Sequence, residues 1–211
     1  INAEEINDDN VADILAGADG ILVPGGFGQR GIEGMIKAIR YAREEKIPFL
    51  GICLGMQLAS IEFARNVCHL PDVNSIEFDD MCETPLIHLM SDQTLDDMGG
   101  TQRLGNYDCE LLKGSRAYDL YGKELIQQRH RHRYEFNNKY KDILEQHGLV
   151  VSGKNPERNL VEIIELKDHP YFVACQFHPE FSSRPNRSEP LFQGLITAAY
   201  HQKYDKKNIQ K

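Results

Sequence analysis

Apolar residues along the chain fall into two kinds of pattern, short unbroken runs and runs at helical spacing, and the two alternate. Ile21, Leu22 and Val23 form the first unbroken run, which predicts a buried strand. It stops at Pro24 and opens into Gly25, Gly26, Phe27, Gly28, Gln29, Arg30 and Gly31. Ile32, Met35, Ile36, Ile39 and then Tyr41 or Ala42 follow at helical spacing. Residues 47–52 predict a second strand that breaks at Cys53, and residues 54–64 a second helix. Strand, helix, strand, helix is the grammar of a parallel α/β sheet. Ahead of it, Val11, Ile14 and Leu15 mark a short helix in an acidic stretch.

From Cys68 to Gly122 the chain is rich in Asp, Gly and Ser with only short apolar stretches such as residues 86–90, which predicts strands linked by long excursions. Loops of that size are usually functional. Residues 129–136 alternate, which would put His130, His132 and Tyr134 on one face and Arg129, Arg131 and Arg133 on the other. Strands are predicted again at residues 149–152, 160–166 and 171–177, the last two joined by a turn at Lys167, Asp168, His169 and Pro170. The charged tail from Gln202 is expected to fray.

Composition narrows the class without changing this picture. With 211 residues, 41% hydrophobic, the chain is long enough for one globular domain with its own core. The 24 Lys and Arg against 32 Asp and Glu, a formal charge of −8, argue against a nucleic-acid backbone as partner. No apolar run has the length of a membrane span and no signal-peptide pattern opens the chain. Five scattered cysteines, none in a Cys-x-x-Cys pair, fit a reducing cytoplasm and do not suggest zinc or any other metal.

The chemistry concentrates at Gly51, Ile52, Cys53, Leu54 and Gly55, a nucleophile elbow with Cys where many hydrolases have Ser. Such a turn needs glycines where a Cβ would clash, and it lifts the nucleophile out at the carboxyl end of the sheet. The following helix N-terminus is expected to lower the thiol pKa. A small buried cysteine is the alternative, and it is the reading for Cys68, Cys82, Cys109 and Cys175. A thiol nucleophile needs a base and a group to orient it. Among eight histidines only His178 follows a strongly predicted strand with a carboxylate two residues on, Glu180; in extended geometry the two share a face.

Gly26, Gly28 and Gly31 also spell the dinucleotide-binding pattern. The acidic residue which that pattern wants at the end of the next strand is missing, because that strand ends at Cys53. A better role for the glycine turn is to aim backbone N–H groups at the oxyanion formed when Cys53 attacks a carbonyl. The arginines at 129, 131 and 133 fit either a solvated face or a receiver of carboxylate or phosphate.

Together, the elbow, the Pro-Gly-Gly-Phe-Gly loop and the His-Pro-Glu tripeptide resemble the class I (triad) glutamine amidotransferases. Within that class, residues 24–31, 51–57, 74–78, 99–105, 129–135 and 176–185 are similar to the glutaminase domain of the CTP synthase family. The resemblance implies an α/β, three-layer flavodoxin-like fold, its sheet mostly parallel with antiparallel additions and helices on both faces. It implies hydrolysis of L-glutamine to glutamate and ammonia, with Cys53 as nucleophile, His178 as acid/base and Glu180 as its orienter. Gly26 and Leu54 would supply oxyanion N–H groups; Gln57 and Glu77 would hold the substrate's α-amino end and Arg133 its α-carboxylate, with Tyr134 beside it. Arg103, in a lid, would face GTP, an allosteric activator. No cofactor is expected in this domain. ATP and Mg would belong to a synthetase domain of the same polypeptide, absent here, which uses the ammonia to aminate UTP and carries a homo-oligomeric, tetrameric assembly. Domains of this class begin with a strand and helix ahead of residues 21–23, so residues 1–211 are expected to lack them. A stand-alone cysteine hydrolase of the γ-glutamyl hydrolase type and a catalytically silent regulatory module are the competing readings.

Overall fold

The computed structural model describes residues 1–89 and 102–209, with side chains through Tyr204. In chain order the elements are α1 (Val11–Ile14), β1 (Ile21–Val23), α2 (Ile32–Glu44), β2 (Phe49–Ile52), α3 (Leu54–Asn66), β3 (Asn74–Ser75), β4 (Pro85–Leu89), β5 (Arg103–Leu111) and α4 (Arg116–Tyr121). They continue with β6 (Leu125–His132), β7 (Tyr134–Phe136), α5 (Lys141–Gln146), β8 (Leu149–Asn155), β9 (Leu160–Leu166), β10 (Phe172–Cys175) and α6 (Pro190–Ile209).

A seven-stranded sheet runs in the order β1-β2-β10-β9-β8-β5-β6, and a three-stranded sheet, β3-β4-β7, stands apart from it. The pairings β1–β2 and β2–β10 are parallel. The expected antiparallel additions supply every further pairing of the large sheet. Both β2 and β10 are buried at every position, which is why they read as unbroken apolar runs. Phe49, Phe172 and Ala174 face the core under α2 and α3. Leu50, Ile52, Val173 and Cys175 face the opposite core with Leu191 and Leu195 of α6 and Ala117 of α4. The α/β expectation with helices on both faces therefore holds.

The helices next to the elbow are fixed by burial. In α2, Ile32, Ile36, Ile39 and Ala42 form the buried stripe that the sequence spacing predicts. By contrast α3 is buried on every side from Leu54 to Ala64, being held between the sheet and α2. Glu62, fully buried in α3, receives Arg43 of α2 through Nε and Nη2 in three contacts at 2.8 to 3.1 Å, so the two helices are tied by a neutralised pair.

Several expectations need correction. The second strand starts at Phe49, not at residue 47, since Lys46 takes positive φ and Ile47 closes a turn onto Ala42. The alternation of residues 129–136 holds only through His132; the chain then turns at Arg133 and enters the small sheet as β7. The middle segment contains a long strand, β5, and the helix α4, whose N-cap Ser115 accepts the Tyr118 N–H at 3.1 Å. The charged tail from Gln202 belongs to α6, which continues to Ile209. Met90 and the Gly99, Gly100, Thr101 part of the expected lid lie outside the described residues.

Two stability outcomes follow. A Cβ on Gly55 would lie 2.3 Å from the backbone oxygen of Val23, so Gly55→Ala should cost about 2–3 kcal/mol in urea unfolding. Arg43→Met leaves the Glu62 carboxylate buried without its partner and should cost about 3 kcal/mol; a loss of less than about 1 kcal/mol would show that water reaches Glu62.

Candidate active site

The elbow owes its shape to three close approaches. A Cβ on Gly51 would stand 2.7 Å from Gly55 O and 2.9 Å from Ala174 Cβ, and one on Gly55 would meet Val23. With no room for side chains on either flank, the backbone turns in one residue, and Cys53 takes φ 51° and ψ −102°. For a non-glycine residue that conformation is strained. It is held by the Cys53 N–H, which donates to Cys175 O at 2.7 Å, and by the N–H groups of Met56 and Gln57, which donate to Cys53 O at 3.0 and 3.2 Å.

Beyond β10 the chain passes between two strands. Gln176 N–H donates to Glu162 O of β9 and His178 N–H to Arg129 O of β6, both at 2.8 Å. His178 Nδ1 and Glu180 Oε1 are 2.6 Å apart. The pair meets by a different geometry from the extended one expected: Pro179–Phe181 form a single 3-10 turn that swings the carboxylate back under the ring. Phe181 stacks on the imidazole, centroids 5.2 Å apart and planes 25° from parallel. Nδ1 thus being engaged, Nε2 is the nitrogen left for proton transfer; it is buried and has no protein partner.

Gly25 ties nucleophile and imidazole together. A Cβ there would lie 2.8 Å from His178 Cε1 and 3.5 Å from Cys53 Cβ, so both side chains pack against the glycine loop. A Cβ on Gly26 would lie 3.1 Å from Leu54 Cδ2. Burial pushes the Cys53 thiol up to about 12, opposed by the Leu54 N–H and reinforced by Glu77, Glu135 and Glu180. The expectation of a lowered thiol pKa is therefore corrected: desolvation of a residue 2% exposed outweighs the helix N-terminus. Burial raises Glu180 as well, but the hydrogen bond from His178 and its own backbone N–H outweigh that and leave it below the usual range.

A second group of residues converges from the small sheet and its approaches. Gln57, 3% exposed, donates through Nε2 to Tyr134 O at 3.0 Å and to Gln176 Oε1 at 3.2 Å. Glu77 Oε1 accepts the Gly28 N–H at 2.9 Å. Burial raises the Glu77 carboxyl, while that N–H and the charge of Arg133 pull it back. Glu77 thus lies near enough to act on the thiol, and Arg133 near enough to act on Glu77.

Arg103 is placed differently from expectation. It is not presented to solvent as part of a lid: it opens β5 at 3% exposure, with Nη2 2.6 Å from Glu162 Oε1. Its neighbour Leu104 faces outward instead, 56% exposed, and with Arg129, His130, Arg131 and Phe181 lines a cavity of about 510 Å³. Sequence reasoning missed Gly25, Gln176 and Phe181 as parts of the site. All three stand in stretches that carry the family resemblance, Gly25 in 24–31 and Gln176 and Phe181 in 176–185, but what each touches is set by packing between distant segments.

Among known proteins, the chain matches the family described as glutamine amidotransferase class-I over residues 2–198. It is 62% identical over 200 residues to the CTP synthase of Geobacillus kaustophilus, covering 94% of this chain and 38% of that protein. It is 61% identical to the CTP synthase of Caldanaerobacter subterraneus, covering 94% and 37%. The chain therefore spans well under half the length of these relatives. A solved structure, the glutaminase domain of Trypanosoma brucei CTPS with bound acivicin, superposes with a TM-score of 0.90 at 37% identity, covering 97% of this chain and 80% of that one.

The raised thiol yields a direct measurement. Since Cys53 stays protonated at neutral pH, its alkylation by iodoacetamide should climb about tenfold per pH unit from roughly pH 7 to 10 without levelling. A plateau below roughly pH 8 would mean that the thiolate is already formed and that the helix N-terminus prevails after all.

Proposed function

The chain belongs to the class I glutamine amidotransferases, and from that premise we propose that it is the glutaminase domain of a CTP synthase. The observation that carries the proposal is the meeting of Cys53, His178 and the glycine loop at Gly25, with Glu180 holding the imidazole at 2.6 Å. Cys53 attacks the side-chain amide carbon of L-glutamine. Because its thiol is held protonated, the proton passes to His178 Nε2 as the sulfur–carbon bond forms. His178 then gives that proton to the departing nitrogen, releasing ammonia and leaving a cysteinyl thioester, which water hydrolyses to glutamate with His178 again as base.

An amide is a weak electrophile, so the oxyanion must be met by donors placed beforehand. The N–H of Leu54, which already points at the sulfur, and that of Gly26 take this role. Glutamine brings an α-ammonium and an α-carboxylate. Glu77 with Gln57 receives the first and Arg133 the second, Tyr134 lying alongside; the complementary charges fix the substrate at one end while the reacting amide lies at Cys53.

In the complete polypeptide, ammonia passes to the synthetase domain, where ATP and Mg support amination of UTP. GTP, as activator, finds its chemistry in the cavity beside His178: Arg129 and Arg131 for phosphate, Leu104 and Phe181 for the base. Phe181 links that cavity to the triad, since it stacks on the catalytic ring. A tetramer assembled through the synthetase domain belongs to the same proposal. Among the described residues no helix is long and apolar enough to cross a membrane, which accords with work in the cytoplasm.

Three outcomes test this reading. A glutamine-like electrophile should label Cys53 and spare Cys68, Cys82, Cys109 and Cys175 in peptide mapping; label spread over all five sinks the elbow assignment. In the complete polypeptide, Cys53→Ala should abolish glutamine-dependent CTP formation, at least about 1000-fold, while ammonia-dependent formation persists. Arg131→Ala should lower GTP activation about 10-fold or more with glutamine hydrolysis in the absence of GTP unchanged; normal activation would place the nucleotide elsewhere.

A further inference from the structure

Behind the triad lies a cluster of ionisable side chains that the reaction does not use. Arg103, His130, His132, Glu135 and Glu162, from β5, β6, β7 and β9, are each 3% exposed or less. Arg103 Nη2 stands 2.6 Å from Glu162 Oε1 and Nη1 3.5 Å from Glu135 Oε1. His132 Nε2 and Glu135 Oε1 are 2.7 Å apart, and His130 Nε2 is 3.5 Å from Glu162 Oε2. Among the described residues no group of three or more His, Cys, Asp and Glu is disposed to hold a metal ion. Buried ionic groups are costly against apolar packing, so a cluster of this size asks for a use.

Its attachment points indicate one. Arg133 is the single residue between the end of β6 and the start of β7, where the chain leaves the large sheet for the small one. The contact between His132 and Glu135 closes this corner from inside. Arg103 is the register partner of His132 and braces Glu135 from the neighbouring strand. The same corner carries Arg133 and presents the Tyr134 carbonyl to Gln57. Glu135 itself is fully buried, and its Oε1 is engaged by both His132 and Arg103, which suits it to hold the corner and not to bind a solvent-borne ligand.

We propose that Glu135, clamped by His132 and Arg103, is a positioning residue that sets the β6–β7 corner and thereby places Arg133 and Tyr134 for the α-carboxylate of glutamine. The proposal rests on the glutaminase reading of the cleft and goes beyond it in assigning the work to a residue that never meets the substrate. A corner held by one buried carboxylate acts on binding, because Arg133 contacts the end of the substrate that does not react. Chemistry at Cys53 is held separately, by the elbow and by His178.

The test uses the complete polypeptide. Glu135→Gln keeps the size of the side chain and removes the charge that the clamp holds. It should raise KM for glutamine about 10- to 100-fold and change kcat by no more than about threefold. Alkylation of Cys53 by iodoacetamide, which needs no cradle, should not slow, since removing the Glu135 charge only eases formation of the thiolate. Arg133→Ala should raise KM to a similar degree, and adding Glu135→Gln to it should raise KM no further, since both act through one contact. Full additivity in that double variant, or a loss confined to kcat, overturns the proposal. Should Arg133→Ala leave KM unchanged, the assignment of the α-carboxylate to Arg133 is what fails, and the positioning role falls with it. If Glu135→Gln does not fold by circular dichroism, His132→Asn carries the same expectation and the same overturning results, because it loosens the clamp while leaving Glu135 its contact with Arg103.

Discussion

The close passage of α3 over β1 and β2 is the constraint on which the rest of this molecule depends. Val23, Gly51 and Gly55 approach so nearly that a single Cβ on either glycine would collide with backbone atoms. Only a one-residue turn fits in that space, and the residue at the turn is forced to φ 51°. The helix behind the turn is then committed to a buried path, which is why α3 has no polar face to show. The Arg43 to Glu62 pair, fixed at three N–H contacts, keeps α2 and α3 in the relation that makes the passage possible.

Burial at the turn has a chemical consequence. A thiol withdrawn from water and faced by the carboxylates of Glu77, Glu135 and Glu180 is stable in its neutral form, so reactivity has to come with the substrate and the base rather than from a standing thiolate. His178 is prepared for this. Its backbone N–H is held by β6, with that of Gln176 held by β9, one ring nitrogen is bound to Glu180, and the other is left unpaired in a buried position. That leaves Nε2 as the ring nitrogen available to the thiol and the substrate.

The antiparallel strands are more than an edge extension of the parallel core. β9 and β6 supply the carbonyls that hold Gln176 and His178, and the turn out of β6 brings Arg133 and Tyr134 to the cleft. Nucleophile and glycine loop thus come from the parallel part, β1, β2 and the start of α3, while the base is held, and the cradle completed, by the added strands. The two halves meet at Gly25, where no side chain separates Cys53 from His178.

What the sequence determined by itself is the part set by neighbours along the chain. The buried runs of β2, β9 and β10, the stripe of α2 and the elbow glycines follow from pleat, helical period and the steric demands of a sharp turn, all of which act within a few residues. β1 departs from its expected burial at Leu22, which is 41% exposed, and His178 meets Glu180 through a 3-10 turn and not through the pleat. Tertiary structure decided the remainder. The break of alternation at Arg133 depends on pairing with β4, far away in the chain. The family resemblance put Arg103 in a lid facing GTP, yet it lies buried because Glu162 and Glu135 meet it from other strands. The thiol pKa likewise rose instead of falling, since desolvation is set by everything packed around Cys53, whereas the helix N-terminus that the sequence reveals is one local dipole among those surroundings.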